Sequence, residues 1–426
     1  MKKRTARVIA LLIAVILTMT GCGGKQASTG NESDQNHSDA KVSGELSIMC
    51  WYEEEDFKPL VDGFKEKYPD VTVELINQAG LTSDQYSQKL TLLANSGELP
   101  DIVSVEPPAK LMVDAGYLAD ISELEAVKKL SQKFRDGYTY DGKTYAYCPD
   151  AWVGGIFYNA DIFEQYGLEV PKTFADFINI CETLTDAGVA PISVYSGYLL
   201  YFAHWFHNTE VVSKDPTFDM KINTGEVTFE EGYLEAFKMF KEQLVDTGYI
   251  PQESVAMSYE QMKNDFLTGK AAMMPDGPWA LDGLKEDNPE MSLGAFPLVG
   301  TDGQALSIGA LNVAFAITTE AKNPTAAEAF IEYLGTAEAL GLYQEMAGNF
   351  LGVDYVEYEV APEIQSWVEC SESGNFNFGN TYWEYRGTLD SIFNKGLEEI
   401  VLGTMTPEEL VANLDAKQQE FLNAEK

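Results

Sequence analysis

Histidine is nearly absent from this 426-residue chain and cysteine is scarce, with three and five copies. His37 falls in a polar stretch, which leaves His204 and His207, spaced i, i+3 with no third ligand nearby. A metal centre is thereby disfavoured, and packing or hydrogen bonding to a ligand is the better reading of that pair. Cys50, Cys148, Cys181 and Cys370 are far apart and none lies at C-x-x-C spacing, so a small disulfide scaffold is excluded. They read as buried thiols, with a Cys50 to Cys148 bridge left open because sequence gives no distance. Basic residues are also few, 29 against 67 acids for a net charge of −38. Nucleic acid and anionic lipid surfaces are poor partners for such a chain, since either needs cationic groups to neutralise phosphate. The apolar run Val8 to Leu17 is too short to cross a bilayer.

What is present begins with that run. Lys2, Lys3, Arg4 and Arg7 precede it and Met19-Thr20-Gly21-Cys22 follows, the pattern of a secretory signal. Its Gly-Cys exit resembles the lipobox of bacterial lipoproteins, in which the cysteine thiol carries the lipid and becomes the new N-terminus. Residues 23 to 41 contain nothing larger or more apolar than alanine among their nonpolar residues and cannot bury enough surface to offset the entropy of ordering. They read as a tether, and the fold is expected to begin near Val42. Localisation on the outer face of the cytoplasmic membrane, anchored through Cys22, follows as an expectation.

The remaining length is too great for one core and suits two lobes. Leu46, Ile48 and Cys50 alternate like a strand, then Phe57, Leu60, Val61, Phe64 and Tyr68 recur at helical spacing up to Pro69-Asp70. Val71, Val73 and Leu75 return to a period of two. A second helix is predicted from about Asp84 to Ser96, stopped by Gly97, and a third strand over Ile102 to Val105. Strand, helix, strand, helix, strand predicts a parallel α/β sheet with crossover helices, whose ligands sit beyond the carboxyl ends of the strands. Trp51 to Glu55 and Glu106-Pro107-Pro108 occupy those ends. Glu53 to Glu55 equally suit the positive end of a helix dipole. The Gly154-Gly155 pair after Trp152 marks a place where the backbone bends or is closely approached, and a first crossing between lobes is placed near Pro149. A helix capped by Thr173 follows. Residues 195 to 207, YSGYLLYFAHWFH, read as a core helix or as a ligand surface.

Five segments then occur in a known order: Ala94-Asn95-Ser96-Gly97-Glu98-Leu99-Pro100-Asp101-Ile102; Gly155-Ile156-Phe157-Tyr158-Asn159 with Pro171-Lys172-Thr173-Phe174; Phe266-Leu267-Thr268-Gly269-Lys270-Ala271-Ala272-Met273; Asp276-Gly277-Pro278-Trp279; and Asn323-Pro324 leading into Ala326-Ala327-Glu328-Ala329-Phe330. Together they resemble the family 1 extracellular solute-binding proteins of bacterial ABC importers. The resemblance implies an α/β fold of two lobes, type II-like among periplasmic binding proteins, each a sheet flanked by helices and joined by a multi-strand hinge that closes on ligand. With Gly309 to Asn312 as the second crossing, the first lobe takes 42–149 and 313–355, and the second takes 150–312 and 356–426.

Members of that family mostly bind sugars, and the resemblance implies a carbohydrate ligand, permease subunits as partners, a monomer, no cofactor and no catalysis. A pyranose offers an apolar face of C–H groups and a rim of hydroxyls, so flat aromatics beside carboxylates, amides and guanidinium groups suit it. Trp51, Trp152, Trp279 and Trp383 are expected at loop or lobe edges. Against a sugar-binding relative, Trp279 and Trp383 match tryptophans that stack on sugar, and Trp152 matches a ligand-facing position. Glu53, Glu54 and Glu106 are the expected hydroxyl acceptors from the first lobe. Asp276, Asn380 and Arg386, with Tyr198, are expected from the second. Four tryptophans suggest more than one ring, hence an oligosaccharide. Two other readings stay open: a cell-surface glycoside hydrolase with a carboxylate pair about 5 to 9.5 Å apart, and the same fold holding a cationic amine by cation–π contact, or a peptide.

Overall fold

A computed structural model describes residues 41–424, apart from Gly80, Thr82, Pro107 and Pro108. The signal, Cys22 and nearly all of the tether lie outside the described residues. Strand β1 (Gly44–Cys50), helix α1 (Glu54–Lys67), strand β2 (Val71–Asn77), helix α2 (Ser83–Ser96) and strand β3 (Ile102–Val105) follow the sequence-based order closely. β1 pairs in parallel with β2, from Gly44 opposite Val71 to Cys50 opposite Asn77, and in parallel with β3 on its other side. The right-handed crossover this pairing favours places α1 and α2 on the sheet. Three acids, Glu54, Glu55 and Asp56, open α1 and Lys65 and Lys67 close it, matching the helix dipole at both ends, while Phe57, Leu60, Val61 and Phe64 are buried. The late strand Ala314–Ile317 completes this sheet, antiparallel to β3.

A second sheet is built around the long strand Asp150–Asn159. Its first half pairs antiparallel with Ser307–Leu311, and its second half lies between Ala271–Asp276 and Leu293–Phe296. Gly154 and Gly155 sit where these partners change. A Cβ on Gly154 would stand 2.6 Å from the Asp276 carbonyl oxygen, and one on Gly155 2.4 Å from that of Phe296. Glycine is required here by the closeness of backbone to backbone, as the sequence suggested. The helix Phe174–Asp186 starts with a capping box between Thr173 and Asp176. In the helix Leu199–His207 all nine residues are buried, so the aromatic run is mostly core.

The chain passes between the sheets at three places that meet on one side chain. Asp150 is buried, and its Oδ2 accepts from Asn312 Nδ2 at 2.8 Å and Asn349 Nδ2 at 2.9 Å. The backbone joins as well: Asn312 N donates to the Asp150 carbonyl and Gly352 N to that of Pro149. Burial pushes the Asp150 carboxyl up to about 6, with its amide partners pulling the other way. The four cysteines between 50 and 370 are buried free thiols.

Candidate functional site

Where α2 and the loop after β3 face the segment Trp383–Asp390, they enclose a cleft of about 1040 Å³. One wall carries Trp51, Tyr86, Glu106 and Tyr117; the other carries Arg386 and Asp390. Trp51 is half-buried just past β1, its indole lying parallel to the Tyr86 ring at 4.9 Å between centroids. The indole N–H donates to the Leu81 carbonyl at 3.1 Å, which fixes the plane of the ring. Arg386 is partly exposed at the start of helix Arg386–Val401, and its Nε donates to Asp390 Oδ2 at 3.3 Å. An aromatic face, a carboxylate at Glu106 and a held guanidinium thus share one cavity. Such a set can accept from and donate to hydroxyls while covering an apolar surface.

A second aromatic surface rises from the other sheet. Trp152 stacks on Tyr201 at 6.3 Å and meets Trp279 and Phe378 edge-on at 5.5 and 5.3 Å. Tyr198 stacks on Tyr201 at 4.5 Å. The Trp279 ring, on the short turn Pro278–Ala280 that follows strand Ala271–Asp276, is 51% exposed, more than any other large hydrophobic in this lobe's aromatic group. Beneath these rings lies Asp276. Its Oδ1 accepts from Tyr198 OH at 3.1 Å and from Gly277 N at 2.8 Å, and its Oδ2 accepts from Tyr259 OH at 3.0 Å. Burial raises its carboxyl to about 6 despite those donors.

The structure brings together Trp51, Glu106 and Arg386 in the cleft, and Trp152, Tyr198 and Trp279 on the second surface. The other five expected residues are placed differently. Trp383 has no exposed surface: its ring packs among Phe229, Tyr233 and Phe393, and its indole N–H points to Asp219 Oδ1 at 3.4 Å. Its segment lines the cleft, but in this structure the ring itself is buried and held by aromatic partners and the Asp219 carboxylate. Asp276 is likewise buried and occupied by protein donors, so it is no free acceptor for hydroxyls. Asn380 is buried and donates to Asp390 at 3.0 Å. Glu53 and Glu54 are exposed at the start of α1 and do not line the cleft, in keeping with the dipole reading. Sequence reasoning missed Tyr86, Tyr259 and Asp390. Tyr86 was signalled only by its inward position on α2.

His204 and His207 are buried. His207 Nε2 lies 3.1 Å from Asp219, which also accepts from Tyr233 and Asn377, while His204 stacks on Phe393. Burial pushes the His204 imidazole down to about 3, so it stays neutral. Among the described residues no group of three or more His, Cys, Asp or Glu is arranged to hold a metal ion, and no helix is long and apolar enough to cross a membrane.

The chain is similar to the multiple sugar-binding protein of Streptococcus mutans, 25% identical over 381 residues that cover 84% of this chain and 85% of that protein. It is similar to the melibiose/raffinose/stachyose-binding protein MelE of Bacillus subtilis, 21% identical over 95% of this chain and 94% of that one. Among solved structures, a family 1 extracellular solute-binding protein from Bifidobacterium longum subsp. infantis matches with a TM-score of 0.80 and 25% identity, over 89% of this chain and 99% of that one. The bacterial extracellular solute-binding protein family model matches residues 51–340, and the chain belongs to that family.

Proposed function

We propose that this protein is the carbohydrate-capturing component of an ABC importer, binding an oligosaccharide between its lobes and presenting it to a membrane permease. The observation that carries this reading is the cleft in which the Trp51–Tyr86 pair faces Arg386 across about 1040 Å³, room for more than one sugar ring. The exposed Trp279 with Trp152 supplies a second stacking surface on the other lobe. Relatives named for raffinose, stachyose and maltodextrin support a neutral oligosaccharide as cargo. In this reading one lobe takes 42–149 with 313–355 and the other the remainder, the Asp150 junction acts as the hinge, and ligand shifts the equilibrium toward a closed form by its higher affinity for it. Anchorage is through lipid on Cys22, the protein works as a monomer, and its role is binding without catalysis.

Thermal-shift and calorimetric screening against raffinose, stachyose, maltotetraose, a chitin oligosaccharide and a polyamine tests this directly. A sugar at a hundredfold its dissociation constant adds about 2.7 kcal/mol to stability. A response to the amine alone, or steady release of reducing ends from a bound sugar, refutes the reading.

A further inference from the structure

Asp276 is the last residue of strand Ala271–Asp276 and pairs with Gly155 on the long central strand. The missing side chain of Gly154 lets the Asp276 backbone lie against that strand, where any Cβ would meet its carbonyl oxygen at 2.6 Å. The carboxylate is therefore anchored to the centre of the second sheet, beside its long strand. From this anchor it collects donors on separate elements. Tyr198 OH comes from the turn Ser196–Tyr198, Tyr259 OH from helix Tyr259–Leu267, and the Gly277 N–H from its own turn. The Trp279 indole N–H acts on the same carboxylate. No exposed surface remains on Asp276, whereas Tyr198 is partly exposed and Trp279 half exposed.

Resting on the carbohydrate reading above, we infer that Asp276 is a positioning residue: it fixes the orientation of Tyr198, Tyr259 and Trp279, and so sets the affinity of that aromatic wall for sugar, without itself touching a ligand hydroxyl. An ionised carboxylate accepts from the two phenols and the Gly277 N–H at once. Once protonated it keeps one good acceptor oxygen and donates from the other, so at least one of these hydrogen bonds must reverse or break and the arrangement of the rings changes. The titratable groups that face it are phenols on three elements, Tyr195 and Tyr198, Tyr201, and Tyr259, which stay protonated through this range because burial raises each of them. The wall is thus held firmly above about pH 6 and loosens below it.

Two measurements on the full mature protein test this, with raffinose as the probe. Wild-type affinity should fall about tenfold from pH 7.5 to pH 5, one decade corresponding to about 1.4 kcal/mol. Asp276→Asn should bind about tenfold more weakly at pH 7.5, with a flat profile that meets the wild type near pH 5. Tyr198→Phe and Tyr259→Phe should each lose part of the pH dependence, which keeps the test open if the asparagine variant folds poorly. The second measurement needs no ligand: tryptophan emission of the free protein should shift between pH 7.5 and 5, and that shift should vanish in Asp276→Asn and in Trp279→Phe. Equal raffinose affinity in wild type and Asp276→Asn, or an emission shift that survives in Asp276→Asn, overturns the inference. If raffinose fails to bind while the emission shift behaves as described, the choice of sugar falls and the positioning role stands.

Discussion

Replacing Asp150 with asparagine isolates the cost of placing a charge at the junction of the three chain crossings. Burial lifts this carboxyl from an ordinary 3.8 to about 6, and at about 1.4 kcal/mol per pH unit that difference amounts to about 3 kcal/mol. The folded protein holds the Asp150 proton up to about pH 6, whereas the unfolded chain releases it near pH 4. Between those values the folded state binds more protons, so this group lowers stability as pH rises, and above pH 6 the whole cost persists. Asparagine keeps a carbonyl oxygen to accept from Asn312 and Asn349 but carries no charge. Its N–H₂ adds a penalty or a gain that does not vary with pH. The stability of Asp150→Asn relative to wild type should therefore move in the variant's favour by about 2.5 kcal/mol between pH 4 and pH 7, the rest of the cost being already present at pH 4. Urea unfolding of both proteins across that range measures it, and the Asp276 carboxyl, common to both, cancels in the difference. A difference constant to within about 0.5 kcal/mol would show that Asp150 is not ionised in isolation at the junction, and the reasoning would fail.

Trp279→Ala should weaken sugar binding by about 2 kcal/mol or more, as exposed aromatic anchors do, and leave the unfolding midpoint of the free protein nearly unchanged. Trp383→Ala should do the reverse, costing about 3 to 5 kcal/mol of stability by opening a cavity among Phe229, Tyr233 and Phe393; calorimetry and thermal unfolding of the same two variants separate these roles. Gly155→Ala forces a Cβ to within 2.4 Å of the Phe296 carbonyl oxygen and should destabilise the second sheet by about 1 to 3 kcal/mol, seen as a lower urea midpoint; an unchanged midpoint would mean the two strands can separate without cost.

The first half of the fold was legible because its signals are local. Alternation in β1 and β2, helical spacing in α1 and the glycine at the end of α2 each report a periodicity that needs no knowledge of distant chain. The Thr173 cap was legible for the same reason, since a capping box is written within four residues. Gly154 and Gly155 announced a close approach, but the strands that approach, Ala271–Asp276 and Leu293–Phe296, lie more than a hundred residues away and could not be named from spacing.

The site separates along the same line. Trp51 and Glu106 were expected from the loops at strand ends and Arg386 from its side-chain chemistry, and the structure lines one cleft with all three; Trp279 was expected from its family segment and stands half exposed. Trp383 and Asp276 carry the same residue chemistry, but their roles are decided by what surrounds them. Trp383 is enclosed because Phe229 and Tyr233, more than a hundred residues earlier, close over it and Asp219 accepts its N–H. Asp276 is withdrawn from solvent because two phenols from separate elements donate to it. An aromatic or a carboxylate in sequence declares only what it can bind; whether a ligand or the protein itself claims that capacity depends on which distant donors the fold brings within about 3 Å. The positions most open to misreading are therefore those where protein groups satisfy a side chain that looks suited to a ligand, and there mutation should move stability or ring orientation before it moves direct contact energy.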